Sequence, residues 1–323
     1  MVELGAMTLT QLEAFVLVAR LGSVKAAAGA LGVSEPAVSG ALAALRQQLG
    51  DPLITKTAAG MSLSPGGQRL VGIASQMVNL AAEAEVAIRQ AQGAPARLRV
   101  VATSTVAEFL VPPVLAAFAA RSARIETSVG VATAGEVAAL LQERLADVCF
   151  GPRLSVGLES VPVMRYGLIV VTSATHHLVD AVQIPWQVLI KEDWFVDPSA
   201  MDSSSEVGML LRKLHVPTDR VRVFPSLSAA WAAAQEGNGV APAISHLVAG
   251  DLQRGALRRL DVVATPVHLL WYVSALPEGR RAPGVTALMR FLATPEAMQS
   301  MHRSNGSVPA SRFRPPVYVT LWS

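Results

Sequence analysis

Residues 23–50, SVKAAAGALGVSEPAVSGALAALRQQLG, decide the fold of the N-terminal part. Ser23 stands where a helix N-cap belongs, ahead of a run whose small side chains, Ala26, Ala27, Ala28 and Ala30, let a neighbouring helix approach closely. Gly32 and Val33 read as a turn. Ser34 then opens a second helix with Pro36 in its first turn, where the missing N–H leaves no hydrogen bond unmade. Val38, Leu42 and Leu45 recur at helical spacing and face inward, and Gly50 ends the helix. Two short helices joined by a glycine-containing turn have the form of a DNA-reading helix-turn-helix.

The flanks agree with this reading. Upstream, Leu9, Leu12, Phe15, Val16 and Ala19 give an amphipathic first helix that Gly22 stops. Downstream, Pro52–Leu63 reads as a strand pair around the turn Ala58-Ala59-Gly60, a wing beside the reading helix. Beyond Gly67 the only residue that breaks a helix before Gly93 is Gly72. Leu70, Ile73, Met77, Leu80, Ala84, Ala87 and Ala91 there alternate spacings of three and four, a heptad seam about 32 Å long. Such a stripe suits a dimer seam or the packed face of an ordinary amphipathic helix, and Leu70, Ile73, Met77, Leu80 and Ala84 are the expected dimerising residues.

Over residues 9–67 the chain resembles the LysR family of transcriptional regulators. The resemblance is carried by LEAF at 12–15, the Gly22-Ser23 pair, SEPAVS at 34–39, LGDPL at 49–53 and GMSLSPGG at 60–67, all in family order. It implies a multidomain α + α/β chain. Residues 7–65 would be the winged helix-turn-helix, 66–92 a dimerising linker helix and 93–305 a two-lobed effector domain similar to periplasmic solute-binding proteins. Residues 306–323 would then be a tail, and Met7 matches the usual family start. The implied DNA contacts are Ser23, Ser34, Glu35, Ala37, Val38, Ser39, Gly40 and, from the wing, Lys56. The implied partners are double-stranded DNA, a small-molecule effector, a second copy of the chain assembling to a dimer or tetramer, and RNA polymerase. This sequence departs from the family at four places. Glu35 stands where glutamine is common, Gly40 where a basic residue is common, Lys56 for arginine and Ile54 for phenylalanine. Glu35 can accept from cytosine N4–H2 or act as a solvated first-turn carboxylate, and both readings stay open.

After Gly93-Ala94-Pro95 the pattern changes to strands alternating with helices. LRVVATS, IETSVGV and ADVCFGP read as buried strands with helices between them, and GLIVVTS, DWFVDP, VRVFPS and GVAPAIS repeat the arrangement. Such alternation predicts parallel α/β sheets in two lobes. Thr103, Ser104 and Thr105 close the first strand and open a helix, so their hydroxyls and amides suit an anionic effector. Ser203 and Ser204 are placed likewise in the second lobe, with Ser203 and Glu206 spaced as a capping box. Arg153, after the third strand, is the basic candidate.

Composition bounds the rest. The chain has 323 residues, 51% hydrophobic and 16% charged, which is globular. Its net charge is +3, yet residues 1–92 hold six basic and six acidic side chains, so the surplus lies C-terminally. That neutral N-terminal part favours a second reading, a small-molecule-binding protein with weak or vestigial DNA binding. The longest uncharged stretches, Val262–Pro277 and Tyr166–Val179, fall short of a membrane span, and MVELGAMTLTQLEAF lacks the form of a signal peptide, so a cytoplasmic protein is expected. The single cysteine, Cys149, excludes an internal disulfide and leaves redox sensing open. Nucleophile-elbow, zincin and P-loop motifs are absent, so no catalytic residue and no cofactor are expected. His176-His177 reads as a strand pair facing opposite ways, and no metal site is expected there.

Overall fold

The computed structural model describes residues 7–57, 60–122, 125–154, 157–203, 205–263 and 265–302. The N-terminal extension 1–6, the wing-turn residues Ala58 and Ala59, and the tail 306–323 lie outside the described residues. The chain forms two compact units, Met1–Ala94 with Gln142–Leu145, and Pro95–Leu141 with Ala146–Ser323.

The first unit begins with α1 (Leu9–Leu21), α2 (Val24–Leu31) and α3 (Glu35–Leu49). Thr8 and Gln11 form a capping box on α1, and the Ser23 hydroxyl accepts the Ala26 N–H at 3.3 Å to cap α2. Each helix ends on a glycine in the left-handed region, Gly22, Gly32 and Gly50 at φ 62°, 66° and 64°. Ser34 holds the N-cap position of α3, but its hydroxyl makes no capping bond. Leu12, Phe15, Ala27, Val38, Leu42 and Leu45 close the core.

The wing is β1 (Ile54–Thr57) paired antiparallel with β2 (Gly60–Leu63), Ile54 opposite Leu63. Then α4 runs from Pro65 to Ala91, 27 residues or about 40 Å. A buckle ties wing to helix. Asp51 accepts the Leu53 N–H at 2.6 Å and the Ser64 hydroxyl, while Ser64 Oγ accepts the Gly67 N–H at 2.9 Å. Those two donors hold the Asp51 carboxyl below its usual range, the Ser64 hydroxyl acting most strongly. Gly67 is required because a Cβ there would overlap the Leu53 carbonyl. Along α4, Ala74 and Ser75 are fully buried, and Arg20 donates to Ser75 Oγ at 2.9 Å.

The second unit has two lobes. The first contains β3 (Ala96–Ala102), α5 (Ser104–Phe109), α6 (Val111–Arg121), β4 (Ile125–Val131), α7 (Val137–Gln142) and β5 (Val148–Gly151). The chain crosses on the long β6 (Glu159–Thr172) to α8 (Trp186–Leu189), β7 (Trp194–Val196), α9 (Glu206–Lys213), β8 (Val221–Val223), α10 (Leu227–Gln235), β9 (Ala241–Ile244), α11 (Ala249–Arg254) and β10 (Arg258–Arg259). It returns on β11 (Val267–Ala275), and α12 (Pro283–Leu292) and α13 (Pro295–His302) pack on the first lobe.

Parallel pairing holds for β3 with β4 and β5, and for β7 with β8. The main sheet is mixed, however, because the two crossing strands β6 and β11 run antiparallel, and β9 and β10 also add to β6 antiparallel. The β6–β11 register slips between Trp271 and Tyr272, a bulge in the pair that joins the lobes. The helical stretch between β3 and β4 is two helices, α5 and α6, with Pro112 and Pro113 in the first turn of α6. No single described helix is long and apolar enough to cross a membrane.

Candidate functional site

On α3, Val38, Leu42 and Leu45 are buried while Ser34, Glu35, Ala37, Ser39 and Gly40 are exposed. One face is thus anchored and the other presented. Val38 must be removed from the expected DNA contacts: at 2% exposure it belongs to the core. Ser23 is half-buried and spends its hydroxyl on the α2 cap. Gly40 has open space around its Cα, so a long side chain fits there. Lys56 lies in β1, and its side chain lies outside the described residues.

On α4 the expected seam divides. Ile73, Met77 and Leu80 are 57%, 41% and 52% exposed, and Ala84 is exposed too. Leu70 instead packs half-buried against the first unit's core, because the first turns of α4 lie on α1. Ile88, 62% exposed, extends the stripe and was missed by the sequence reading. Its spacing of four from Ala84 was the available signal.

In the second unit α5 and α10 meet. Ser228 on α10 donates its hydroxyl to Glu108 on α5, and the Phe109 and Trp231 rings stack at 5.3 Å. Thr103 holds the N-cap position of α5, and its Oγ1 is buried without a hydrogen-bond partner among the described residues. Ser104 is exposed, Thr105 is buried and Arg153 is exposed. The capping box expected between Ser203 and Glu206 is not formed. Ser205 is the N-cap of α9, accepting the Gly208 N–H at 2.9 Å, and Ser203 is exposed. Ser204 lies outside the described residues. Glu206 is spent otherwise: Tyr166 Oη and Trp271 Nε1 each donate to it at 3.1 Å. Burial, then the Glu206 charge, pushes the Tyr166 phenol up.

The histidine pair lies on a turn, not a strand, so both rings converge on Glu192, at 3.4 Å for His176 and 3.2 Å for His177. The three groups stand within 4.8 Å of one another. His176 Nδ1 accepts the Leu178 N–H at 3.3 Å, which places its proton on Nε2, facing Glu192. A metal-ligating histidine needs the reverse arrangement. Burial holds His176 below the usual imidazole range. Cys149 is 1% exposed and burial pushes its thiol up to about 12, so it carries no thiolate for redox chemistry near neutral pH.

Comparison with known proteins follows the same division. Residues 9–68 match the family described as bacterial regulatory helix-turn-helix protein, lysR family, and residues 91–295 match the LysR substrate binding domain. The uncharacterized HTH-type transcriptional regulator Rv0377 of Mycobacterium tuberculosis is 34% identical over 98% of this chain and 100% of its own. Two solved structures share the fold. ArgP from Mycobacterium tuberculosis has a TM-score of 0.64 at 21% identity, covering 91% of this chain and 97% of that one. Full-length CbnR complexed with its target DNA has a TM-score of 0.59 at 21% identity, covering 88% and 98%.

Proposed function

The chain belongs to the LysR family of bacterial transcriptional regulators, with a DNA-binding helix-turn-helix and an effector-binding domain, and on that premise we propose how its parts work. A homodimer, assembling further to a tetramer, pairs through the exposed stripe Ile73, Met77, Leu80, Ala84 and Ile88. It sets two α3 helices in successive major grooves, where Ser34, Glu35, Ala37, Ser39 and Gly40 face base edges and phosphates. Lys56 of the wing adds a phosphate contact. A small anionic effector lies between the lobes near Thr103, Ser104 and Thr105, and acts by binding the two lobe arrangements with different affinity. Arg153, Ser203 and Ser204 remain candidates for its outer contacts. The protein works in the cytoplasm, beside its operator and RNA polymerase.

The observation that carries the DNA reading is the two-sided α3, with apolar residues locked inside and five exposed residues left for a partner. The orphaned Thr103 hydroxyl supports the effector site, since a buried hydroxyl without a partner costs free energy that a ligand can recover. The exposed α3 surface holds no basic side chain between Ser34 and Gly40, so few phosphates are neutralised. A shallow salt dependence follows. Gly40→Arg, which the open space admits, is expected to tighten binding at low salt and steepen the log–log salt slope by about 0.9 for one added phosphate contact. Fluorescence anisotropy over a salt series measures both slopes. An unchanged slope would remove Gly40 from the DNA-facing surface.

A further inference from the structure

In the first lobe of the second unit a cavity of about 300 Å³ opens where α6 and α12 end and α13 begins. Its apolar lining includes Phe118 and Phe291, both buried, with ring centroids 5.5 Å apart and planes tilted by 43°. Ser122 and Ala287 line it with short side chains, which leaves the space open. Arg121 and Arg290 line it too, each in the last turn of its helix. The helix dipole favours a cation at such a place, which accounts for the two arginines but not for their uneven partnering. Arg121 pairs with Glu296 at 2.9 Å, whereas Arg290 forms no ion pair and Ser122 Oγ no hydrogen bond among the described residues. Two guanidinium groups against one carboxylate leave one positive charge beside an aromatic surface.

We propose that this cavity is a second small-molecule site, and that it takes a monocarboxylate with a compact aromatic body. The ring lies against Phe118 and Phe291, and the carboxylate is received by Arg290 with the Ser122 hydroxyl beside it. The volume is at the small end of ligand pockets, so the guest is small, on the order of ten heavy atoms. Aromatic walls favour a flat guest that can stack or meet them edge to face. A planar guanidinium takes a carboxylate through two parallel N–H···O bonds, and a single negative charge matches the single uncompensated cation. The chain's own tail does not supply that charge: residues 303–323 carry three arginines and no acidic side chain. None of the lining residues belongs to the inter-lobe site near Thr103, so occupancy here is a separate event from effector binding there. A molecule in the cavity touches α6 and α12 together and ties one to the other.

The test is ligand-observed fluorine NMR on the intact protein, with 3-(4-fluorophenyl)propionate as the probe and its amide as the uncharged counterpart. The expected result is saturable binding of the acid, with the amide about tenfold weaker or more, the order of effect of one charge-assisted pair. Arg290→Gln should weaken the acid by a similar factor and leave the amide unchanged. Ala287→Leu, which fills the cavity with a good helix former, should abolish binding of both. Thr103→Ala, in the inter-lobe site, should change neither. If the acid and its amide bind equally, or Arg290→Gln and Ala287→Leu leave the acid's affinity unchanged, the proposal is overturned. Loss of binding in Thr103→Ala alone would place the probe between the lobes, overturning the second site while supporting the first. Absence of any binding by wild type overturns the second site and leaves the inter-lobe reading untouched.

Discussion

Phe15→Ala is expected to unfold the first unit at temperatures where the second stays folded. Phe15 is fully buried in the cluster that Leu12, Val16, Ala27, Leu42 and Leu45 also form, so its truncation leaves a cavity in the core that α1, α2 and α3 share. A Phe→Ala change in such a core costs about 3–5 kcal/mol, a large share of the 5–15 kcal/mol that holds a domain together. The second unit's core shares no residue with this cluster and should keep its own transition. Guanidinium unfolding of the variant should therefore show one early and one unchanged step, with DNA binding lost. Val33→Ala, at a 48% exposed position, should shift neither by more than about 0.5 kcal/mol. A Phe15→Ala cost below about 1 kcal/mol would mean that this core is not the one described.

The second large effect concerns α4. Ile73→Asp together with Leu80→Asp places two carboxylates on a stripe that is 57% and 52% exposed, so the fold of the protomer should be unaffected. In a paired stripe each carboxylate meets apolar partners or its own copy, and like charges desolvated together are strongly disfavoured. Sedimentation should show the doubly substituted chain as a monomer. Operator affinity should fall by about 10²–10⁴-fold, the advantage that two linked half-site contacts hold over one. A chain that remains dimeric would move the self-association surface elsewhere.

The helix-turn-helix was legible because its signals are local. A serine cap, a proline in the first turn and three glycines that accept positive φ fix α1–α3 residue by residue. The same local reading misassigned Val38 by counting it both inward-facing and DNA-facing, and only burial decides between those. In the second unit the strands were found but not their directions. Pairing of β6 with β11 joins residues about a hundred positions apart in sequence, which no periodicity reports. Ser205 took the cap expected of Ser203 because Glu206 was drawn to Tyr166 and Trp271, a tertiary contact that outweighs a capping box. His176 and His177 misled for a related reason: as strand neighbours they diverge, as turn neighbours they converge. Asp51 was passed over, although an aspartate ahead of a proline, accepting an N–H two residues on, is a recognisable turn former. The Glu108–Ser228 contact carried no motif at all, since it arises only where α5 meets α10.

The central claim is that α3 reads DNA despite its neutral surface. It is tested most directly by anisotropy of the intact protein against the intergenic duplex upstream of its own gene, and against a scrambled duplex of equal composition. The account predicts saturable binding to the upstream duplex at least tenfold tighter than to the scrambled one, with a preference that persists as salt rises. Equal affinity for both duplexes at every salt concentration would contradict it, and would leave a ligand-binding protein whose helix-turn-helix no longer reads sequence.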